Sequence, residues 1–296
     1  VQTIFVFGLL GVVLAILLPG LESKGIPAVD GATQNAGLTF CGLAAIQILS
    51  YPFHDPVLTD RGFISEPRDM LKSFIIAGVL SGGFIFLFSI IGLYGKAYGL
   101  AANPSVSVPA SFGLIMMLMF NGIMLLSGGS TIDSTFTSVA KMSALDWRND
   151  GPQQFGSRLT AGRLAILAVA ILGNLPLLTV YAGDKIGPAI IAAPTISGTM
   201  VMGHAPLVLP SCPPYARAPS FHFAFWPGLI LGVLRAIETF AHVSIFPAAM
   251  SLGAGKYALD LGINVYGLLI CMIGFLAGAL VVYLINEHVS ELSLKS

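Results

Sequence analysis

The sequence predicts an all-α polytopic membrane protein with about eight transmembrane helices. Three observations predict it. Hydrophobic residues make up 55% of the chain and charged residues only 9%, with a mean hydropathy of +0.87; soluble domains carry roughly 25% charged residues. The apolar residues are gathered into runs close to the roughly 20 residues that a spanning helix needs. Between the runs lie proline, glycine and charged stretches that break helices. The formal net charge is zero, with no basic run, which leaves no electrostatic footprint for nucleic acid. Cys41, Cys212 and Cys271 are far apart, odd in number and without metal-ligand spacing, and read as free thiols.

Each element has its own justification. Residues 1–18 form an apolar span closed by Pro19-Gly20. The chain starts inside this run, so the expectation is of a truncated or split chain. A polar loop covers 21–35, and a short second span covers 37–51 before Pro52-Phe-His-Asp-Pro56 breaks it. Proline removes a backbone donor. A helix broken at membrane depth survives only against protein or a cavity, and in transporters it marks the binding site. Residues 59–72 are charged and lie outside the hydrocarbon.

The third span is 74–94, where Gly78, Gly82, Gly83 and Gly92 predict close packing. Residues 96–109 read as a loop, 112–145 as the fourth span, 141–158 as a hydrophilic loop and 164–180 as the fifth span, with a kink signal at Gly173-Asn-Leu-Pro176. After a turn at 181–188, residues 189–209 read as an irregular sixth span, rich in Pro, Gly, Ser and Thr. A proline-rich loop covers 211–220. Residues 221–250 are hydrophobic but carry Arg235, Glu238 and His242, the first two spaced to pair on one helix face. The last span is 262–285.

The fourth span organises the chain. Residues 126–142 hold seven hydroxyls, a carboxylate and the pair Gly128-Gly129. Ser127, Ser130, Thr131, Ser134 and Ser138 fall on one helical face. Asp133 lies beside that stripe, and intramembrane carboxylates are functional candidates by default. Hydroxyl and carbonyl oxygens are hard ligands suited to sodium. Close helix packing is the usual explanation of a Ser/Gly seam taken alone, although packing does not require the charge of Asp133. Both readings stand at this point.

Lysine and arginine set the orientation. With loops alternating sides, Arg61, Arg68, Lys72, Lys141, Arg148, Arg158, Arg163, Arg217 and Lys295 share one side, and Lys24, Lys96, Lys185 and Lys256 the other. The richer side is placed in the cytoplasm. Both termini are then cytoplasmic, in a multi-pass protein of the cell inner or plasma membrane.

Two motifs resemble the sodium:solute symporter family, a LeuT-like inverted-repeat fold whose members carry sugars, proline, urea, carboxylates or vitamins. Ser127-Gly-Gly-Ser-Thr-Ile-Asp-Ser134 resembles the family signature on the eighth core helix. That resemblance implies sodium held by the Ser127 carbonyl and the Ser130 and Thr131 hydroxyls, with Asp133 as a supporting or proton-carrying group. The run from Gln47 through Tyr51, His54, Asp55 and Arg61 is similar to the family's broken sixth core helix. Asp55 stands where a Gln is usual, and Pro52 near a usual aromatic.

By this resemblance a single transmembrane domain has three parts. Residues 1–36 are the fifth core helix and its outer loop, 37–210 the second inverted repeat (core helices six to ten), and 211–296 two peripheral helices and a cytoplasmic tail. The first repeat, which completes the sodium site in this fold, is missing and is an implied partner, from the same gene or a separate chain. The expected function is sodium-coupled symport of a small organic solute across the lipid bilayer, with Na+ as the coupling ion. Gln47, Ser50, Tyr51, His54 and Asp55 are the substrate-side candidates, from the broken-helix logic; packing around a proline kink is their alternative.

His54-Asp55 also suits a proton, so proton coupling stays open, as does a sensory input domain of the same fold. An enzyme is not expected: the chain has no His-Glu-x-x-His and no Gly-x-Ser-x-Gly.

Overall fold

The structure, a computed structural model, describes residues 2–50, 56–59, 65–100, 104–146, 155–181, 196–208 and 217–295. Among these residues there is no strand. The helices are α1 (Gln2–Lys24), α2 (Gly31–Ile48), α3 (Pro67–Ala97), α4 (Pro104–Phe112), α5 (Leu114–Lys141), α6 (Phe155–Tyr181), α7 (Ala218–Ala241) and α8 (Ala258–Lys295). Short turns of helix lie at Pro56–Thr59 and within 196–208. Among the described residues six stretches are long and apolar enough to cross a membrane: Thr3–Lys24, Pro67–Ala97, Leu114–Leu145, Gly156–Gly173, Ala218–Thr239 and Ala258–Glu287.

The second and sixth spans expected from the sequence are not among the six. α2 is 18 residues long and carries Thr33, Gln34, Asn35 and Gln47, which lower its hydropathy. Residues 189–195 of the sixth lie outside the described residues, and 196–208 is irregular, as expected, with a 3-10 turn at Met202–His204.

Other boundaries move for local reasons. Part of the expected loop at 96–109 is α4, because Pro104 sits where a helix needs no N–H and its ring presets the helical φ. α3 closes just before it. Gly99 takes φ +72°, Leu100 N–H donates to Gly95 O at 2.7 Å and Gly99 N–H to Lys96 O at 3.4 Å, a Schellman ending that needs a left-handed residue. The span expected at 221–250 stops at Ala241, where His242 adopts φ 53°. α6 begins at Phe155, earlier than expected, and continues through Pro176 as one helix.

The chain divides into two units. One comprises residues 1–29 and 60–170, the other 30–59 and 171–296. In the first, α1 supplies Val6, Leu10, Val13, Leu14, Leu17 and Leu21 to the core. Their spacing is one helical stripe. Ile91 and Tyr94 of α3, Val108 of α4, and Met116, Phe120 and Ile123 of α5 meet that stripe. At one end the Tyr98 hydroxyl donates to Gly20 O at 2.9 Å, Tyr94 stacks on Tyr98 at 4.4 Å, and Lys24 Nζ lies 4.5 Å from the Tyr98 ring centroid.

The four glycines of the third span do not pack closely. A Cβ added at Gly78, Gly82, Gly83 or Gly92 meets no atom within 4 Å. The close packing expected of these glycines is therefore not seen among the described residues.

In the second unit, α7 and α8 pair through glycine. A Cβ at Gly278 would lie 2.5 Å from Ser220 Cα, while Gly228 of α7 faces the 3-10 turn at Met202–His204, where a Cβ would lie 2.9 Å from Gly203 N. Gly274 abuts the Phe223 carbonyl. Pro227, inside α7, has no N–H to give that carbonyl, so the approach of a bare Cα fills the gap. Arg235 pairs with Glu238 at 2.9 Å, as its spacing predicted, and also with Asp260 at 2.7 Å. Glu238 Oε1 accepts from the Ile245 and Phe246 backbone N–H groups at 3.1 and 3.3 Å. Asn264 Nδ2 donates to Asp260 O and Thr199 Oγ1 at 2.8 and 2.9 Å. On α2, Asp30 caps the helix through Thr33 N–H at 3.2 Å. Thr39 Oγ1 donates to Asn35 O and accepts from Ala254 N–H, each at 2.8 Å, fixing the turn before α8.

Candidate functional site

α5 runs unbroken through the hydroxyl-rich stretch. Apolar residues in its first half, Met116, Phe120 and Ile123, bury against α1 and α3. The polar half that follows is more open: Ser127 and Thr131 are exposed, Ser134 is half-buried, and Ser138 is buried. The hydroxyl face is therefore graded from open to closed along the helix.

Ser127 and Thr131 line a cleft of about 410 Å³ within the first unit. α1 contributes Thr3, Val6 and Phe7, and α3 contributes Leu80, Ser81, Phe84 and Ile85. Phe7 and Phe84 meet edge to face at 5.3 Å. Ser127 also borders a neighbouring apolar cavity of about 150 Å³ lined by Phe88, Ile123 and Met124. Three helices thus bring four hydroxyl residues and an aromatic pair to one opening, with no charged residue in its lining among the described residues.

The hydroxyl protons are already placed. Thr131 Oγ1 donates to Ser127 O at 3.3 Å, Thr135 Oγ1 to Thr131 O at 2.9 Å and Thr137 Oγ1 to Asp133 O at 3.0 Å. A hydroxyl that has given its proton to the preceding turn keeps oxygen lone pairs to offer. That is the polarity a hard cation or a substrate donor needs. The Ser127 carbonyl, by contrast, sits in an unbroken helix and already accepts from Thr131. The Thr131 side-chain oxygen keeps lone pairs on the cleft.

Ser130 lies on the same helix, but its side chain is outside the described residues. Asp133 is exposed, and its carboxylate has no partner among the described residues.

The substrate-side candidates fall in the second unit. Gln47 packs against Gly198, where a Cβ would come within 2.5 Å of its amide carbon. Ser50 is buried and its hydroxyl donates to Gln47 O at 3.3 Å. Gly198 thus leaves room for the Gln47 amide, and Ser50 is tied to Gln47 three residues away. Tyr51, His54 and Asp55 lie outside the described residues.

Thr3 and Ser81 were missed by sequence reasoning. Each is a single hydroxyl in an apolar run, and nothing local links either to residue 127. No group of three or more His, Cys, Asp or Glu among the described residues is placed to hold a metal ion.

These features define a multi-pass helical membrane protein with a polar cleft among its helices. No protein-family model, no curated protein and no solved structure matches the chain.

Proposed function

We propose that the chain works in sodium-coupled symport of a small organic solute, as part of a LeuT-like transporter. The observation that carries this reading is the cleft of about 410 Å³ in which Ser127 and Thr131 are joined by Thr3 and Ser81. Their oxygens are neutral and hard, and the Thr131 proton is already engaged. The resemblance of Ser127-Gly-Gly-Ser-Thr-Ile-Asp-Ser134 to the symporter signature supports the same residues. Sodium bound at Ser127, Ser130 and Thr131 biases the transporter toward substrate binding, and the ion gradient supplies the energy. One charge crossing about 100 mV contributes roughly 2.3 kcal/mol.

The test is uptake of pooled small metabolites by the chain co-expressed with the first repeat that completes the fold, with and without sodium, in wild type and in Ser130→Ala/Thr131→Ala. The expected result is sodium-dependent uptake, with the sodium requirement of the double variant raised at least tenfold. Uptake indifferent to sodium sinks the proposal.

Asp133 favours a second reading, because it is an exposed carboxylate within a spanning helix. There the coupling ion is a proton. Asp133→Asn then abolishes the pH dependence of uptake, whereas under sodium coupling it leaves that dependence in place.

A further inference from the structure

Asn264 of α8 is fully buried, and its Oδ1 has no donor among the described residues. Chemistry settles which corner of the amide is oxygen. The other corner bonds to Asp260 O at 2.8 Å and to Thr199 Oγ1 at 2.9 Å, and a carbonyl only accepts. A buried acceptor without a donor is rare and calls for a group that satisfies it. The bond to Asp260 O folds the Asn264 side chain back over the turn that carries Asp260. Asp260 and Asn264 thus share one face of α8, a single turn apart.

The same place lacks positive charge. Arg235 faces two carboxylates, Glu238 at 2.9 Å and Asp260 at 2.7 Å, and the three side chains are only 16%, 9% and 9% exposed. Glu238 also accepts from the Ile245 and Phe246 backbone N–H groups. Asp260 accepts from Arg235 through Oδ1, and its Oδ2 has no donor among the described residues. The first turn of α8 holds Asp260, where the helix dipole is equivalent to about half a positive charge. Among the described residues no second cation pairs with Asp260. Lys256, one turn before it, is exposed, and its ammonium lies 4.7 Å from the Tyr257 ring centroid. Arg235 and Glu238 fall in the closing turns of one spanning stretch, Ala218–Thr239, and Asp260 in the opening turn of another, Ala258–Glu287. An ion from solvent therefore reaches the cluster without crossing the hydrocarbon.

We propose that Asp260 and Asn264 form a site for a monovalent alkali cation. The ion sits between Asp260 Oδ2 and Asn264 Oδ1 and completes its shell with water. One guanidinium against two carboxylates leaves a single negative charge, which selects a singly charged ion. Donors that are all oxygen select a hard ion over a transition metal. The bound ion ties the first turns of α8 to Arg235 on α7 and, through Asn264, to Thr199. It stabilises the second unit, and the site is independent of the transport reading.

Thermal unfolding of the purified chain tests the site, in the Ser130→Ala/Thr131→Ala background so that sodium at the cleft of the first unit does not contribute. Sodium or potassium chloride is exchanged for choline chloride at constant ionic strength. The expected result is a midpoint that rises and saturates with the alkali cation. Asp260→Asn is expected to raise the half-saturating concentration about tenfold, because it removes the charged ligand. Its new amide offers a donor to Asn264 Oδ1, which favours a folded variant. Binding of radioactive sodium in the same background is the second measurement, and Asn264→Ser, which withdraws Oδ1, is expected to weaken it by a similar factor. A midpoint indifferent to the alkali cation, or no saturable sodium binding, overturns the proposal and leaves water as the partner of Asn264. A cation dependence that survives both substitutions overturns it as well, because the ion then binds elsewhere. A midpoint that follows pH through Asp260 but ignores the alkali cation assigns a proton to the site and equally overturns it.

Discussion

At Gly78, Gly82, Gly83 and Gly92 of α3 an added methyl meets nothing within 4 Å, whereas at Gly203, Gly228 and Gly278 it meets backbone atoms at 2.5 to 2.9 Å. The first group belongs to the unit with the hydroxyl-lined cleft, the second to the unit with the ion-paired α7–α8 pair. The hydroxyls of α5 and the charged groups of the α7–α8 pair differ as well. In the first unit Thr131, Thr135 and Thr137 are satisfied by the preceding turn of their own helix and need no neighbour. In the second, Arg235 reaches Asp260 and Asn264 Nδ2 reaches Thr199 across elements, while Arg235 also pairs with Glu238 within α7. Polar residues in apolar helices therefore serve two ends here. Locally satisfied ones leave a surface open, and mutually satisfied ones lock a pair of helices.

Four substitutions test that division by thermal unfolding of the purified protein. Arg235→Met leaves Asp260 and Glu238 without their cation in a largely buried setting, and is expected to cost about 3 kcal/mol. A midpoint unchanged from wild type breaks the idea of a lock. Gly274→Ala drives a methyl into the Phe223 carbonyl, so the backbones must part. The expected loss is about 2 kcal/mol, and a neutral result means that the seam is loose. Gly82→Ala is the mirror experiment. With open space around it, the change gains helix propensity, and stability should rise by up to about 1 kcal/mol; a clear loss would show that α3 has a close neighbour there. Thr131→Ala, at an exposed position, should move stability by no more than about 0.5 kcal/mol while raising the sodium needed for uptake. A large stability loss would make Thr131 a packing residue.

The sequence made some of this legible and hid the rest. The apolar stripe of α1 and the pairing of Arg235 with Glu238 are local periodicities, and both could be read directly. Asp260 could not, because it lies 25 residues from Arg235 and only the return of α8 brings it close. Thr3 and Ser81 were hidden for the same reason: a cleft is a long-range object. Glycine is a special difficulty. It records a missing side chain but not what occupies the space, so the open glycines of α3 and the tight ones of α8 look alike in sequence. Proline misled at Pro104 because the same residue that breaks a helix also starts one.

The hydrogen bond between Thr39 and Ala254 spans 215 residues, and its consequence belongs to biogenesis. α2 leaves the ribosome early, yet the backbone N–H that Thr39 accepts belongs to the turn before α8. Until that turn emerges, Thr39 and the amide of Gln47 sit in a helix whose partners do not yet exist. At roughly 5 to 20 residues per second, synthesis of the intervening chain takes on the order of ten seconds or more. Lengthening that wait costs little in loop entropy, which grows only with the logarithm of loop length. The exposure is kinetic. Through that interval α2 is a weakly apolar segment at the membrane, and chaperones or quality-control proteases that survey unassembled helices have their best opportunity to engage it.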